Sequence, residues 1–465
     1  MRRAAAAALV LVGFLVSPAS ASAARGTPTV QQLVDRAAPG AVVHVPSGTY
    51  RERLVIRKPV SLLAAGHVVV DGGGRGTVMT VEAPDVRIQG FEIRNSGESH
   101  NTEDAGIMVL APRARLVGNH LVDVLFGIEM RGAEDSLVRG NVIGAKNLSA
   151  GLKGDPLKLW ECSRTVVERN RVESGRDVVL WYSDRLLVRD NLVRHGRYGL
   201  HFMYADHVRI ERNWLEGNST GAYLMYGKNM RMLDNVVVGS RGPSGFGLGI
   251  KDAYQVQVRG NRLVNNRVGI YFDSSPETAA AAQPFRNNVI AYNDIGMVFF
   301  PAAEGYAFAD NAFVDNRQQI ALNGGGKVVG NHWSIGGRGN HWSEYAGYDA
   351  NGNGIGDVPY KAQSLFSDLT DRNPELTLFS DTPAARAIDL AARAFPSLRP
   401  DPVVTDNHPL VAMPPIPGMP REAQTPSSTG LLLASLGLVA LAALVIGGAR
   451  PWRAFHRPAS TAVAS

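Results

Sequence analysis

Pairs of aliphatic residues recur along the middle of the chain, three and five positions before an asparagine. Leu186 and Val188 stand this way before Asn191, and Val208 and Ile210 before Asn213. Alternation of period two over so few positions predicts short strands with two or three inward side chains. The asparagine, usually preceded by Gly, Asp or Arg, returns at Asn95, Asn119, Asn141, Asn170, Asn191, Asn213, Asn235, Asn261, Asn288, Asn311 and Asn331. The intervals run from 20 to 29 residues and cluster near 22.

A repeat of that length with three short strands has one economical solution, a coil stacked on the next with parallel strands about 4.8 Å apart. The expected fold is therefore all-β, a single-stranded right-handed parallel β-helix of about a dozen coils. The asparagines would align in one turn, where Asn tolerates the left-handed conformation and its amide can bond the same amide in the next coil. The longer intervals are loops extruded from single coils. Unrelated Gly-Asn turns in a β-sandwich would not keep so even a spacing. Residues 27–38, with Val30, Leu33, Val34 and Ala37 at helical spacing, predict an amphipathic helix capping the first coil, ended by Pro39-Gly40.

Counting back from the asparagines exposes further columns. Ten residues before stand Trp160, Trp181, Met203, Met225 and Lys251; twelve before stand Lys158, Val179, His201, Tyr223 and Gly249. The intervening columns, Leu159, Leu180, Phe202, Leu224, Ile250 and Leu157, Val178, Leu200, Ala222, Leu248, are apolar throughout and must face the core. Trp160, Trp181, Met203 and Met225 are thus expected outside, bordered by Tyr182, Tyr204 and Tyr226 if the strands end there. A soluble rod ordinarily avoids such a patch, so it predicts a docking surface, unless an inserted loop such as 144–155 covers it. His201 with the thioethers of Met203 and Met225 also suits a soft ion such as copper(I).

The ends of the chain predict its address. Met1 to Arg3 is positive, Ala4 to Val16 apolar and Ala21-Ser22-Ala23 small, the pattern of a signal peptide over 1–24. Residues 430–449 carry no charge over a length of about 30 Å, and Arg450, Arg453 and Arg457 follow. One C-terminal transmembrane helix is expected, with residues 450–465 in the cytoplasm and the β-helix of 27–375 on the outer face of the membrane. Between them, 376–429 is expected to be partly helical and then, with nine prolines from Phe395 to Ser428, an extended stalk.

The net charge of +6 does not imply a nucleic-acid partner. Five of the positive residues are the arginines of the two ends, and without them +1 remains. Cys162, the only cysteine, excludes an internal disulfide and is a weak ligand candidate beside Trp160. Asp349, Asn351, Asn353 and Asp357 space oxygen ligands as the front of a calcium loop does, but Tyr360 stands where a bidentate glutamate belongs, so a self-stabilised Gly/Asn turn competes with that reading. A polysaccharide-modifying β-helix would need carboxylates converging in a groove. Asp71 lies in a glycine turn, and Glu103-Asp104, with His100 in the same loop, is the best adjacent pair, but nothing repeats it.

The chain resembles the NosD family of nitrous oxide reductase maturation proteins. The resemblance is carried by Val45-Pro46-Ser47-Gly48-Thr49-Tyr50-Arg51-Glu52 with Asp71-Gly72-Gly73-Gly74, by Leu180-Trp181-Tyr182-Ser183-Asp184, His201-Phe202-Met203-Tyr204 and Leu224-Met225-Tyr226, and by Gly339-Asn340-His341-Trp342-Ser343-Glu344-Tyr345 through Gly356-Asp357-Val358-Pro359-Tyr360. It implies an extracytoplasmic, non-enzymatic partner of an ABC-type permease and its ATPase, working with a copper chaperone to load apo nitrous oxide reductase. A carbohydrate-binding or polysaccharide-modifying protein is the alternative.

Overall fold

A computed structural model describes residues 28–415 apart from 275–281, 324–326, 380–381, 396 and 398–399. The expected signal peptide, transmembrane helix and cytoplasmic tail lie outside the described residues, as does the last part of the expected stalk. Among the described residues no helix is long and apolar enough to cross a membrane.

The chain forms a parallel β-solenoid of about twelve turns. One face is a sheet of twelve strands from Leu54–Ile56 to Gln318–Leu322, each beside the equivalent strand of the next coil. Two further stacks of short parallel strands close each coil, one running through Arg209–Glu211 and the other through Trp214–Glu216. Alternation decides the interior as expected: Leu159, Leu180, Phe202, Leu224 and Ile250 have no exposed surface and belong to one continuous core. Toward the C-terminal end that core turns aromatic, with Phe272, Phe285, Phe299 and Phe308 packed ring to ring.

The asparagine ladder runs from Asn119 through Asn141, Asn170, Asn191, Asn213, Asn235, Asn261, Asn288 and Asn311 to Asn340. Each amide donates to the next Oδ1 and also to a main-chain carbonyl; that of Asn213 donates to Val188 O. Two expected members fall outside. Phe91 N donates to Asn119 Oδ1, so Phe91 holds the position assigned to Asn95. Asn331 donates to Ala303 O and Val329 O, and Asn340 takes its place. The left-handed residue also differs from expectation. It is the residue before the ladder asparagine, Asp190, Arg212 or Asp234, which takes the kink while Asn turns its amide inward. A second, shorter ladder joins Asn266, Asn293 and Asn316.

Both ends of the core are closed. The N-terminal helix spans Val30–Arg36, shorter than expected, and buries Val30 and Val34; Thr29 and Gln32 form a capping box, and Glu52 accepts from the first free amides. At the other end Trp342 stacks between Phe313 and Tyr360, each at 4.2 Å. The stalk expectation needs correction here. Val404–Asp406 pairs antiparallel with Tyr360–Ala362, and Val404, Asp406 and Leu410 are buried. The segment is proline-rich but carries enough apolar side chains to cover an otherwise open core.

Candidate functional site

The strands Leu157–Trp160, Asp177–Trp181, Tyr198–Met203 and Thr220–Met225 lie side by side. Their register stacks Trp160, Trp181, Met203, Met225 and Lys251 in one column. With Leu159 through Ile250 turned into the core, this column points outward, and its side chains are half-buried against one another. Immediately after it Tyr182, Tyr204 and Tyr226 adopt φ of 51°, 52° and 55°, so the chain turns there and splays the phenols out. Their rings stack at 5.1 and 5.0 Å, tilted by only 13° and 17°, and Trp160 closes one end 4.8 Å from Tyr182.

That stacking limits the chemistry. Each tyrosine spends its ring face on its neighbour and offers its edge and hydroxyl to the outside, whereas a sugar would need the faces. Tyr182 and Tyr204 remain exposed. The loop 144–155 does not run over them. Leu148 packs beside Ala105, Leu125 and Phe126, and Leu152 O meets His100 Nε2 at 3.0 Å, so the loop lies over coils nearer the N-terminus.

His201 is enclosed by Trp181 and Tyr198, with ring centroids at 5.2 and 4.7 Å. Its Nε2 lies 3.4 Å from Met225 Sδ, while its buried Nδ1 has no hydrogen-bond partner and is 4.0 Å from Asp177 Oδ2. Asp177 is itself held by Arg197. Burial pushes the imidazole pKa down to about 4, against the pull of Asp177 and with the help of Arg197, so the ring is neutral near pH 7 and keeps a lone pair. A soft ion held here would take the imidazole nitrogen of His201 and the thioether of Met225 as ligands, and Met203 is the next thioether in the column. Among the described residues no three His, Cys, Asp or Glu side chains gather into a metal site, so a metal on this face would depend on methionine.

The other candidates fare differently. Cys162 is fully buried, burial pushes its thiol up to about 12, and Sγ donates to Trp160 O, which makes it core filler. In the loop suggested for calcium, Asp349 accepts from the amides of Gly352, Asn353 and Gly354, Asn351 from Asn353, Asn353 from Ile355, and Asp357 from Ala350. Side-chain oxygens spent on their own backbone make this the self-stabilised turn, and calcium has no support.

Sequence reasoning missed a charged cluster at the N-terminal end of the same face. Glu129 and Arg131 stand twelve and ten residues before Asn141, one coil earlier than Lys158 and Trp160, so the column count, carried one interval further, would have found them. Lys158 Nζ lies 2.9 Å from Glu103 Oε1 and 3.2 Å from Glu129 Oε1, and Arg131 bonds both carboxylates. Burial, then the neighbouring Glu103, push Glu129 up to about 7 despite Lys158 and Arg131. Lys158 and Arg131 thus occupy both carboxylates.

Residues 144–347 match the family described as periplasmic copper-binding protein (NosD). The chain is 32% identical to the probable ABC transporter binding protein NosD of Pseudomonas aeruginosa over 385 residues, covering 79% of this chain and 87% of that one. To the protein of the same description from Stutzerimonas stutzeri it is 28% identical, covering 80% and 86%. A PL6 family alginate lyase, AlyGC, is similar in structure with a TM-score of 0.47 at 16% identity, covering 63% of this chain and 51% of that one, too slight a likeness to bear on function.

Proposed function

Since the chain belongs to the NosD family, we propose that it is an extracytoplasmic carrier platform that holds copper(I) as cargo between His201 and Met225 and passes it to apo nitrous oxide reductase docked on the neighbouring aromatic column. The observation that carries this reading is the pairing of a neutral, buried imidazole with a thioether 3.4 Å away on an outward face. Soft, neutral ligands favour copper(I) over the harder ions of the same compartment, and a site with few ligands releases its ion readily. Met203, next in the column, offers a third thioether during transfer.

Trp160, Trp181, Tyr182, Tyr204 and Tyr226 supply the docking surface, for such residues dominate interface cores when a partner excludes water. An ABC-type permease with its ATPase is a partner, in keeping with the relatives' description as ABC transporter binding proteins, and a copper chaperone would supply the ion. The chain works outside the cytoplasm, as the family's description as a periplasmic protein suggests. The polysaccharide reading gains nothing from the tyrosines, whose faces are spent on each other, or from Glu103 and Glu129, which Lys158 and Arg131 occupy.

Copper(I) titration of the full-length protein against a chromophoric competitor tests the cargo site. His201→Ala combined with Met225→Leu should weaken binding at least about 100-fold and lower the copper content of the co-expressed reductase. Unchanged affinity would remove His201 and Met225 from the pathway.

A further inference from the structure

On the flank formed by the last short strand of each coil, a column of outward residues runs Leu192, Trp214, Val236, Arg262, Val289, Ala312 and His341. A parallel column beside it contains Val238, Val264, Ala291 and Val314. Outward aliphatic side chains should be wet, yet Val289, Ala291 and Ala312 are buried. Their cover is the chain's own C-terminal segment. Met413 packs on this cluster together with Val264 and Val314, and Pro414 is buried with it.

The direction of that segment is defined. Leu410 N donates to Asn340 O at 2.9 Å, and Leu410 O meets His341 Nδ1 at 3.4 Å, both at the last coil. Pro415 lines a groove with Arg212, Val236, Arg259, Arg262 and Asn287, three coils back. Three coil steps are about 14 Å, and five residues of polyproline II are about 15 Å. The strap is thus extended and climbs the rod roughly one coil per one and a half residues.

Where the described chain stops, the apolar column continues. Val236 and Leu192 are half-buried and Trp214 is 45% exposed, its Nε1 turned aside to Glu216. The next residues of the chain are Ile416-Pro417-Gly418-Met419-Pro420, uncharged and proline-rich, followed at once by Arg421-Glu422. A segment keeping the pitch of Leu410 to Pro415 would need about four more residues to reach the level of Trp214 and Leu192.

We propose that the flank of Leu192, Trp214 and Val236 is the docking strip for the chain's own residues 416–420, which continue the strap formed by Leu410 to Pro415. The strip is continuous with one the segment already covers, the length matches, and the uncharged run ends where the apolar column ends. Trp214 shares its coil with His201, so the strap would bring the residues after 420 to the flank of that coil rather than to the far end of the rod. The inference does not draw on copper binding.

Two measurements on the full-length protein test it. Trp214→Cys combined with Met419→Cys should form an intramolecular disulfide under mild oxidation, whereas Arg139→Cys with Met419→Cys, several coils further along the same rod, should not. Equal yields from both pairs, no bond in either, or a bond only between two chains would overturn the proposal. In the second, the thiol introduced by Val236→Cys should react with iodoacetamide at least about tenfold more slowly than in a chain that also carries Ile416→Glu and Met419→Glu. Equal rates would overturn it as well.

Discussion

Asp406 accepts a hydrogen bond from the indole of Trp342 at 3.1 Å across 64 residues of sequence, and the asparagine ladder ends on the same carboxylate. The same Oδ2 accepts from Asn340 N at 2.8 Å and faces its amide at 3.4 Å, where the next coil's asparagine would otherwise stand. A solenoid must finish its last open edge with something that satisfies the exposed donors. Here a returning segment does it with one side chain.

Asp406→Ala should therefore destabilise the β-helix from its C-terminal end. It leaves the Trp342 indole and the Asn340 main-chain N–H buried without acceptors, at a cost on the order of 3 kcal/mol. Hydrogen exchange should show the loss confined to the coils of Asn311 and Asn340 and the strand Tyr360–Ala362. Uniform acceleration along the rod would contradict a local cap.

Asn213→Ala probes the middle of the ladder. It removes the acceptor of Asn191 N and Nδ2 and the donor to Val188 O and Asn235 Oδ1. Denaturant unfolding should report a loss of about 3 kcal/mol or more, since several groups are orphaned at once. Asn331→Ala, outside the ladder, loses one accepted bond, from Tyr306 N, and the bonds of a half-buried amide, and should cost less than Asn213→Ala. Similar costs for the two would mean the ladder adds nothing beyond turn geometry.

Glu129 predicts a pH dependence. Its folded pKa of about 7 stands above the ordinary value of 4.5, so below pH 4.5 both folded and unfolded states hold the proton and nothing is lost. From pH 4.5 to 7 the unfolded state ionises first, and stability should fall as pH rises, by on the order of 1 to 3 kcal/mol. Glu103, held down to about 2, changes nothing in that window. Glu129→Gln should flatten the profile between pH 4.5 and 7, as read by thermal melts. A profile unchanged by that substitution would show that Glu129 does not titrate in that window.

The two sides of one strand give paired outcomes. Replacing Trp181, Met203 and Met225 together by Ser should leave the protein folded, with a smaller loss per side chain than a core substitution, and abolish copper loading of the reductase in a host lacking the native gene. Phe202→Ser should instead cost about 4 kcal/mol through a cavity and a buried hydroxyl. Full loading by the triple variant would move the partner surface to another face.

How far these features were legible in the sequence depends on how far they are local. Strand alternation alone places Phe202 and Leu224 inside and Trp181, Met203 and Met225 outside, because side chains of an extended chain must alternate whatever lies beyond them. The near-constant interval makes the stack and most of its asparagine ladder legible for the same reason, since every coil repeats one local solution. Only the tertiary structure decided where the ladder begins and ends, with Phe91 for Asn95, Asn340 for Asn331 and Asp406 beyond. It also decided that Glu129 meets Glu103 and Lys158, that His201 meets the sulfur of Met225 rather than water, and that Met413 returns to cover Val289. Caps, inserted loops and the returning strap have no period to read. Their contacts are chosen by which coil's unsatisfied donors and bare apolar faces remain within reach once all the others have stacked.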